Sequence, residues 1–218
     1  VGSAFEGEQG GFTLHHVASV FGDPATRRGL VNATIIACVT TTLALLVAFP
    51  LALVGARCRF PGKTLLSGLL LLPLVLPPFV GAIGVRHLLG RAGAFNALLG
   101  TDIDWLGAGG MWAIAAMEAI SLYPILYLNI MASLANLDPA LEEAAQSLGA
   151  GRWTRLRRVT LPLVRPGVFA GATIVFIWSF TELGTPLMFE YYDVTSVQIF
   201  NGIKEVEVSR RPYALVVV

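Results

Sequence analysis

The sequence predicts an all-α, polytopic transmembrane helical bundle with four full spans and the start of a fifth. Two observations carry that prediction. The 218 residues are 55% apolar and only 13% charged, with a mean hydropathy of +0.71, well beyond a soluble domain's apolar share. The charges are also gathered, so that uncharged runs long enough to cross a bilayer alternate with short polar segments. This length suits one membrane domain, and a net charge of +1 carries no nucleic-acid footprint. Cys38 falls in an apolar run and Cys58 in a basic turn, without metal-ligand spacing around either, so both read as unpaired thiols. Membrane lipid is the first expected partner; no metal, cofactor or nucleic acid is expected.

The elements follow in order. Residues 1–28 are mixed and polar, with Phe12, Leu14, Val17, Val20 and Phe21 hinting at a short amphipathic helix. His15-His16 lacks a third ligand and reads as a surface pair. Residues 29–218 read as the transmembrane domain. It stops inside the apolar run Tyr213 to Val218, which, with no initiator methionine, suggests a fragment cut at both ends. Gly29 to Ala56 is 28 residues without a charge, long enough at 1.5 Å per residue to cross ~30 Å of hydrocarbon with tilt. Arg57, Arg59 and Lys63 surround the turn Phe60-Pro61-Gly62. Thr64 to Val85 is a second uncharged run, of 22 residues, carrying Pro73, Pro77 and Pro78. It reads either as a broken helix beside a translocation path or as a kinked packing helix.

Arg86 to Gly110 reads as a connector, with Trp105 and Trp112 placed as interfacial anchors for the next span. Met111 to Asn136 is the third span, broken by Pro124 and carrying Glu118. A carboxylate in a span is a functional candidate facing the bundle interior, unless its closeness to Trp112 lets it reach the interface. Pro166 to Phe189 is the fourth span, interrupted by Glu182; Glu190 to Arg211 is a polar connector, and Pro212 to Val218 starts a fifth span.

Between the third and fourth spans, residues 138–166 form a polar loop with five arginines. Asp138 is placed to cap a helix that Pro139 begins, and Glu142 and Glu143 sit near the positive end of its dipole. Leu141, Ala144, Ala145 and Leu148 recur at i, i+3, i+4 and i+7, a narrow stripe kept shallow by its alanines. Gly149 is the stop. A second, basic helix follows Gly151, and Leu161-Pro162 and Arg165-Pro166 are expected to break it before the fourth span. The loops at 57–63 and 138–165 hold eight Lys and Arg in 35 residues, against seven over about 75 residues on the other side. The dense side is expected in the cytoplasm, which leaves residues 1–28 as an extracytoplasmic segment.

Glu143-Ala144-Ala145, three residues, Gly149, nine residues and Val159-Thr160-Leu161-Pro162 resemble the EAA loop of binding-protein-dependent ABC importer permeases, with Val in place of Ile. Asn32-Ala33-Thr34 and the turn after the first span resemble the same family. Phe180 to Pro186 resembles its ferric-iron and polyamine members and tilts the expectation mildly towards iron, without fixing a solute.

The resemblance implies a type I importer permease in a bacterial inner membrane. Its partners would be ATP-binding cassette ATPase subunits, an extracytoplasmic solute-binding protein and a second permease half, as a homodimer or a fused or heterodimeric pair. It implies that Glu143, Ala144, Ala145, Leu148, Gly149, Leu161 and Pro162 couple the loop to the ATPase, moving as a lever on the attached spans. The chain would be a transport subunit without catalytic residues, and no Walker-type phosphate loop occurs in it. Pro77, Pro78, Glu118, Thr181 and Glu182 are the candidates for the solute pathway. An ion-gradient-driven secondary transporter using Glu118 and Glu182 is the alternative, though it leaves the elaborate loop unexplained. A membrane hydrolase lacks its nucleophile–base or metal pattern.

Overall fold

The computed structural model describes residues 23–58, 60–91, 93–103 and 110–204. The proposed amphipathic helix, His15-His16, Asp104, Trp105 and the fifth span fall outside them. Within them the chain is helical, and three helices are long and apolar enough to cross a membrane.

Helix α1 runs over Pro24–Arg57, beginning inside the segment read as polar. Asp23 caps it, accepting from the Ala25 N–H at 3.0 Å, so the helix starts where its first N–H groups find an acceptor and not where the apolar run starts. Pro50 is carried inside it without a break. Helix α2 (Lys63–Leu70), the single turn α3 (Leu72–Val75) and α4 (Pro78–Leu89) replace the second span. The chain bends by 92° between Lys63–Val75 and the following Pro78–Leu99 stretch. Leu76 and Pro77 stand in extended conformation at the bend, because a residue preceding proline is pushed out of the helical region. Thr64 to Val85 is therefore a broken helix, one of the two readings left open. Of the residues read as a connector, 86–89 belong to α4 and the next short helix is α5 (Ala94–Leu99).

Helix α6 (Gly110–Ala135) is the centre of the bundle. It packs along α1 through Ala33, Ala37, Ala44, Ala48 and Ala52, whose small side chains let the two backbones approach. Tyr123 reaches out of α6 to the Leu70 carbonyl at 2.8 Å, tying α2 to it. Helix α7 (Pro139–Ser147) crosses the end of the bundle. After it come α8 (Arg152–Arg155), a π-helical turn (Leu156–Thr160) and α9 (Leu161–Thr181), continuous as a 30-residue helix.

The break expected at Pro162 and Pro166 does not occur. Proline has no N–H for the carbonyl four residues back and crowds it, and here the preceding turn widens instead, with the Leu161 N–H bonded to the Leu156 carbonyl. Pro162 then falls in the first turn of α9, where its missing N–H is harmless. Helix α9 reaches α6 through Gly167 and Gly171, a small-xxx-small pair. A Cβ at Gly167 would stand 1.8 Å from Ser133 Oγ, so the closeness of the two helices depends on that glycine.

The fourth span ends at Thr181, not Phe189. Glu182 leaves the helix and its carboxylate accepts from the N–H groups of Gly184 and Thr185 at 3.1 and 3.3 Å, opening the short α10 (Gly184–Met188). Helix α11 (Thr195–Lys204) occupies part of the second connector and lies against the start of α1. Gln198 donates to the Ala25 carbonyl at 3.0 Å and Asn32 to the Asp193 carbonyl at 2.9 Å. Arg86 closes the same end, donating to the Met188 carbonyl and pairing with Glu190, both at 2.6 Å.

Candidate functional site

Two regions stand out, one at each end of the bundle. The first is α7 with the turn after it. Asp138 accepts from the Ala140 N–H at 2.9 Å and Pro139 follows, the same Asp-Pro-Ala start that opens α1. At the other end of α7, Gly149 takes φ +83°. Its N–H bonds to the Gln146 carbonyl at 2.9 Å and that of Ala150 to the Ala145 carbonyl at 3.0 Å, the paired bonds of a Schellman stop. Both ends of this nine-residue helix are thus satisfied by its own sequence, which makes it a stiff element in its own right.

Its stripe faces outward. Leu141, Glu143 and Ala144 are exposed, Ala145 is half-buried, and Leu148 is 89% exposed. Trp153 beside it is 71% exposed. An apolar leucine and tryptophan so exposed at this end make an apolar surface patch. Leu161 and Pro162, expected to couple with these residues, open α9, the first half-buried and the second exposed.

The underside of α7 was not foreseen. Glu142 accepts from Arg57 at the end of α1, in a close ion pair, and from Thr160 Oγ1 at 2.7 Å. Arg57 also donates to Thr160 Oγ1 at 2.7 Å, so three elements meet in one ring of hydrogen bonds. In the sequence Arg57 signals only as a loop charge and Glu142 only as a first-turn carboxylate; their pairing across 85 positions has no local signature.

The second region gathers all five pathway candidates near the opposite end. Glu118 is wholly buried between three spans, accepting from Ser179 Oγ of α9 and, at 3.3 Å, from Thr40 Oγ1 of α1. It faces the bundle interior, not the interface. Met117 beside it packs under Gly81 of α4, and Phe79 packs against Gly184 just beyond Glu182. The two helix breaks, at Pro77-Pro78 and at Glu182, therefore lie side by side. Thr181 is exposed and turns its hydroxyl back to the Ile177 and Trp178 carbonyls. Among the described residues there is no cluster of metal-ligating side chains, and Cys38 and Cys58 are free and exposed.

Residues 30–204 match the family described as binding-protein-dependent transport system inner membrane component. The molybdenum transport system permease protein ModB of Escherichia coli (strain K12) is 36% identical over 165 residues, covering 72% of this chain and 71% of that one. ModB of Haemophilus influenzae is 39% identical over 150 residues, 67% of this chain and 62% of its own. The putative ferric transport system permease protein FbpB 1 of Haemophilus influenzae is 32% identical over 168 residues, 74% of this chain but 26% of its own. In structure the chain is similar to a bacterial ABC transporter involved in the import of the acidic polysaccharide alginate. The TM-score is 0.73 at 19% identity, covering 98% of this chain and 80% of that one.

Proposed function

The chain belongs to the binding-protein-dependent inner-membrane component family, a multi-pass, non-catalytic permease subunit of an ABC importer, and from that premise we propose how it works and what it carries. The separate ATPase docks on α7, and a periplasmic binding protein delivers solute at the opposite end. Helix α7 and the end of α1 at Arg57 face the cytoplasm, in keeping with the density of arginines there. The observation that carries the reading is the exposed stripe of Leu141, Ala144 and Leu148 on a helix closed at both ends.

Coupling requires an element that moves without deforming. Helix α7 meets that requirement through its caps, and the continuous Arg152–Thr181 helix carries its motion to the far end of the bundle. Glu143, Ala144, Ala145, Leu148 and Gly149 form the contact, with Leu161 and Pro162 setting the angle at which α9 leaves it. Of the pathway candidates, Pro77, Pro78 and Thr181 are kept as lining groups at the paired helix breaks. Glu118 and Glu182 hold those breaks in place, one by joining three spans and the other by capping α10. A second permease half completes the pathway.

The solute is molybdenum, carried as the molybdate oxyanion. Two molybdenum permeases at 36% and 39% identity support this against the 32% of the ferric relative, which moves the mild expectation of iron to second place. The docking is tested by placing cysteine at Ala145 and a partner cysteine in the groove of the cognate ATPase. A disulfide-linked pair that forms with the assembled transporter is expected. Failure of every pairing, with both proteins present in the membrane, would refute the assignment of α7.

A further inference from the structure

We propose that Arg57, Glu142 and Thr160 form a polar latch through which α7 moves α1, the span to which the coupling loop has no covalent connection. The proposal rests on α7 being the ATPase contact. The chain joins α7 directly to α6 before it and to the α8–α9 helix after it, so motion of α7 reaches those two spans through the backbone. Helix α1 ends at Arg57, far away in sequence, and can follow only through a contact.

The packing identifies that contact. A half-open pocket of about 160 Å³ lies between the first turn of α7 and the ends of α1 and α6, and its lining includes Ala56, Arg57, Leu134, Leu137, Pro139 and Glu142. Apolar side chains leave a gap between α7 and α1 here. Side-chain bonds cross it. The Nη2 amino group of Arg57 has two N–H groups and two acceptors, Glu142 Oε1 and Thr160 Oγ1, while the Thr160 hydroxyl donates in turn to Glu142 Oε1. Every member holds the other two, so none of the three helical elements can shift against the rest without breaking two bonds.

The π-helical turn has a place in this arrangement. Thr160 is its last residue and is fully buried, with Leu161 and Pro162 following at once. The widened turn that accommodates Pro162 is also what supports the hydroxyl under α7. The Arg57 and Glu142 side chains are 37% and 28% exposed, so water and salt screen their attraction and the pair adds little to the resting stability. Its role is geometric. With the ring closed, a push on α7 passes directly to the end of α1; with it open, α1 receives that push only through its packing against α6 and α9.

The test uses the whole transporter, with its ATPase and binding protein, in liposomes supplied with molybdate. It reads molybdate imported per ATP hydrolysed, together with the yield of the Ala145→Cys crosslink to the ATPase. Thr160→Val keeps the shape and removes the hydroxyl; Arg57→Gln removes the charge; Thr160→Ser restores the hydroxyl. The first two should lower transport per ATP by about fivefold or more, the low end of measured site-to-site couplings. Their crosslink yield should persist, and Thr160→Ser should behave as the parent. Unchanged transport per ATP in Thr160→Val and Arg57→Gln would overturn the latch. So would a proportional fall of transport and hydrolysis at constant ratio, which is what simple loss of folded protein produces. Absence of the crosslink in the parent itself removes the coupling reading, and the latch with it.

Discussion

At the scale of single residues, Gly149 carries the clearest requirement. Its φ of +83° lies where a Cβ meets the following carbonyl oxygen, and nothing else lies within 4 Å of a Cβ built there. The penalty of substitution is therefore conformational, about 1 kcal/mol for Gly149→Ala. Aspartate adds a negative charge at the negative end of α7. Gly149→Asp and Glu143→Lys are expected to abolish or strongly reduce molybdate uptake while leaving the protein inserted in the membrane at parental level. Uptake by cells and the amount of membrane-extracted protein, measured side by side, check this. Gly149 as the stop of α7 was legible in the sequence because it acts within a few positions of its own place in the chain. Arg57, Glu142 and Thr160 were not, since a charge near a span end reads the same whether it meets water or a carboxylate 85 positions away.

At the scale of elements, apolar length was a good guide to the first and third spans, and proline a poor one at Pro124, Pro162 and Pro166. The third span was expected over Met111 to Asn136 and is found over Gly110–Ala135. Pro50, Pro124, Pro162 and Pro166 all lie within helices, whereas Pro77 and Pro78 mark a bend of 92°. The consecutive pair explains the difference. Pro78 holds Pro77 out of the helical region and Pro77 does the same to Leu76, so two adjacent residues leave the helix together. An isolated proline costs one hydrogen bond, which a widened turn or a neighbouring span can accommodate. One legible signal was passed over: Gly167 and Gly171, four apart in an apolar span, mark the face on which α9 meets α6. Gly167→Val is expected to force Ser133 and the Asn129 backbone away and to lower the melting temperature in detergent, at about 1–3 kcal/mol for an overpacked contact. Gly68→Ala, where a Cβ meets nothing within 4 Å, should leave the melting temperature at or slightly above that of the parent. Equal melting of the two variants would show that α6 and α9 do not depend on close approach at Gly167.

At the scale of the whole molecule, the bundle divides its work between its ends. The end at Arg57 and Thr160 bears a stiff, exposed helix, and the opposite end gathers two helix breaks around Phe79 and Gly184. A carrier driven by an ion gradient needs only the second of these, with an ionisable group at the pathway that can exchange its ion with solvent. Glu118 does not offer one in this conformation, because it is wholly enclosed by α1, α6 and α9 and bonded to Ser179 and Thr40. In the proposed reading energy enters instead at the end that bears α7. Molybdate uptake into vesicles holding the assembled transporter is accordingly expected to require internal ATP, at the face where α7 projects. It should persist when ionophores collapse the proton and sodium gradients, and ferric iron at equal concentration should not compete. Uptake that survives ATP depletion and stops with the ionophore would move the source of energy from the cytoplasmic helix to the buried carboxylate. Competition by ferric iron would leave the engine where it is and change the cargo alone.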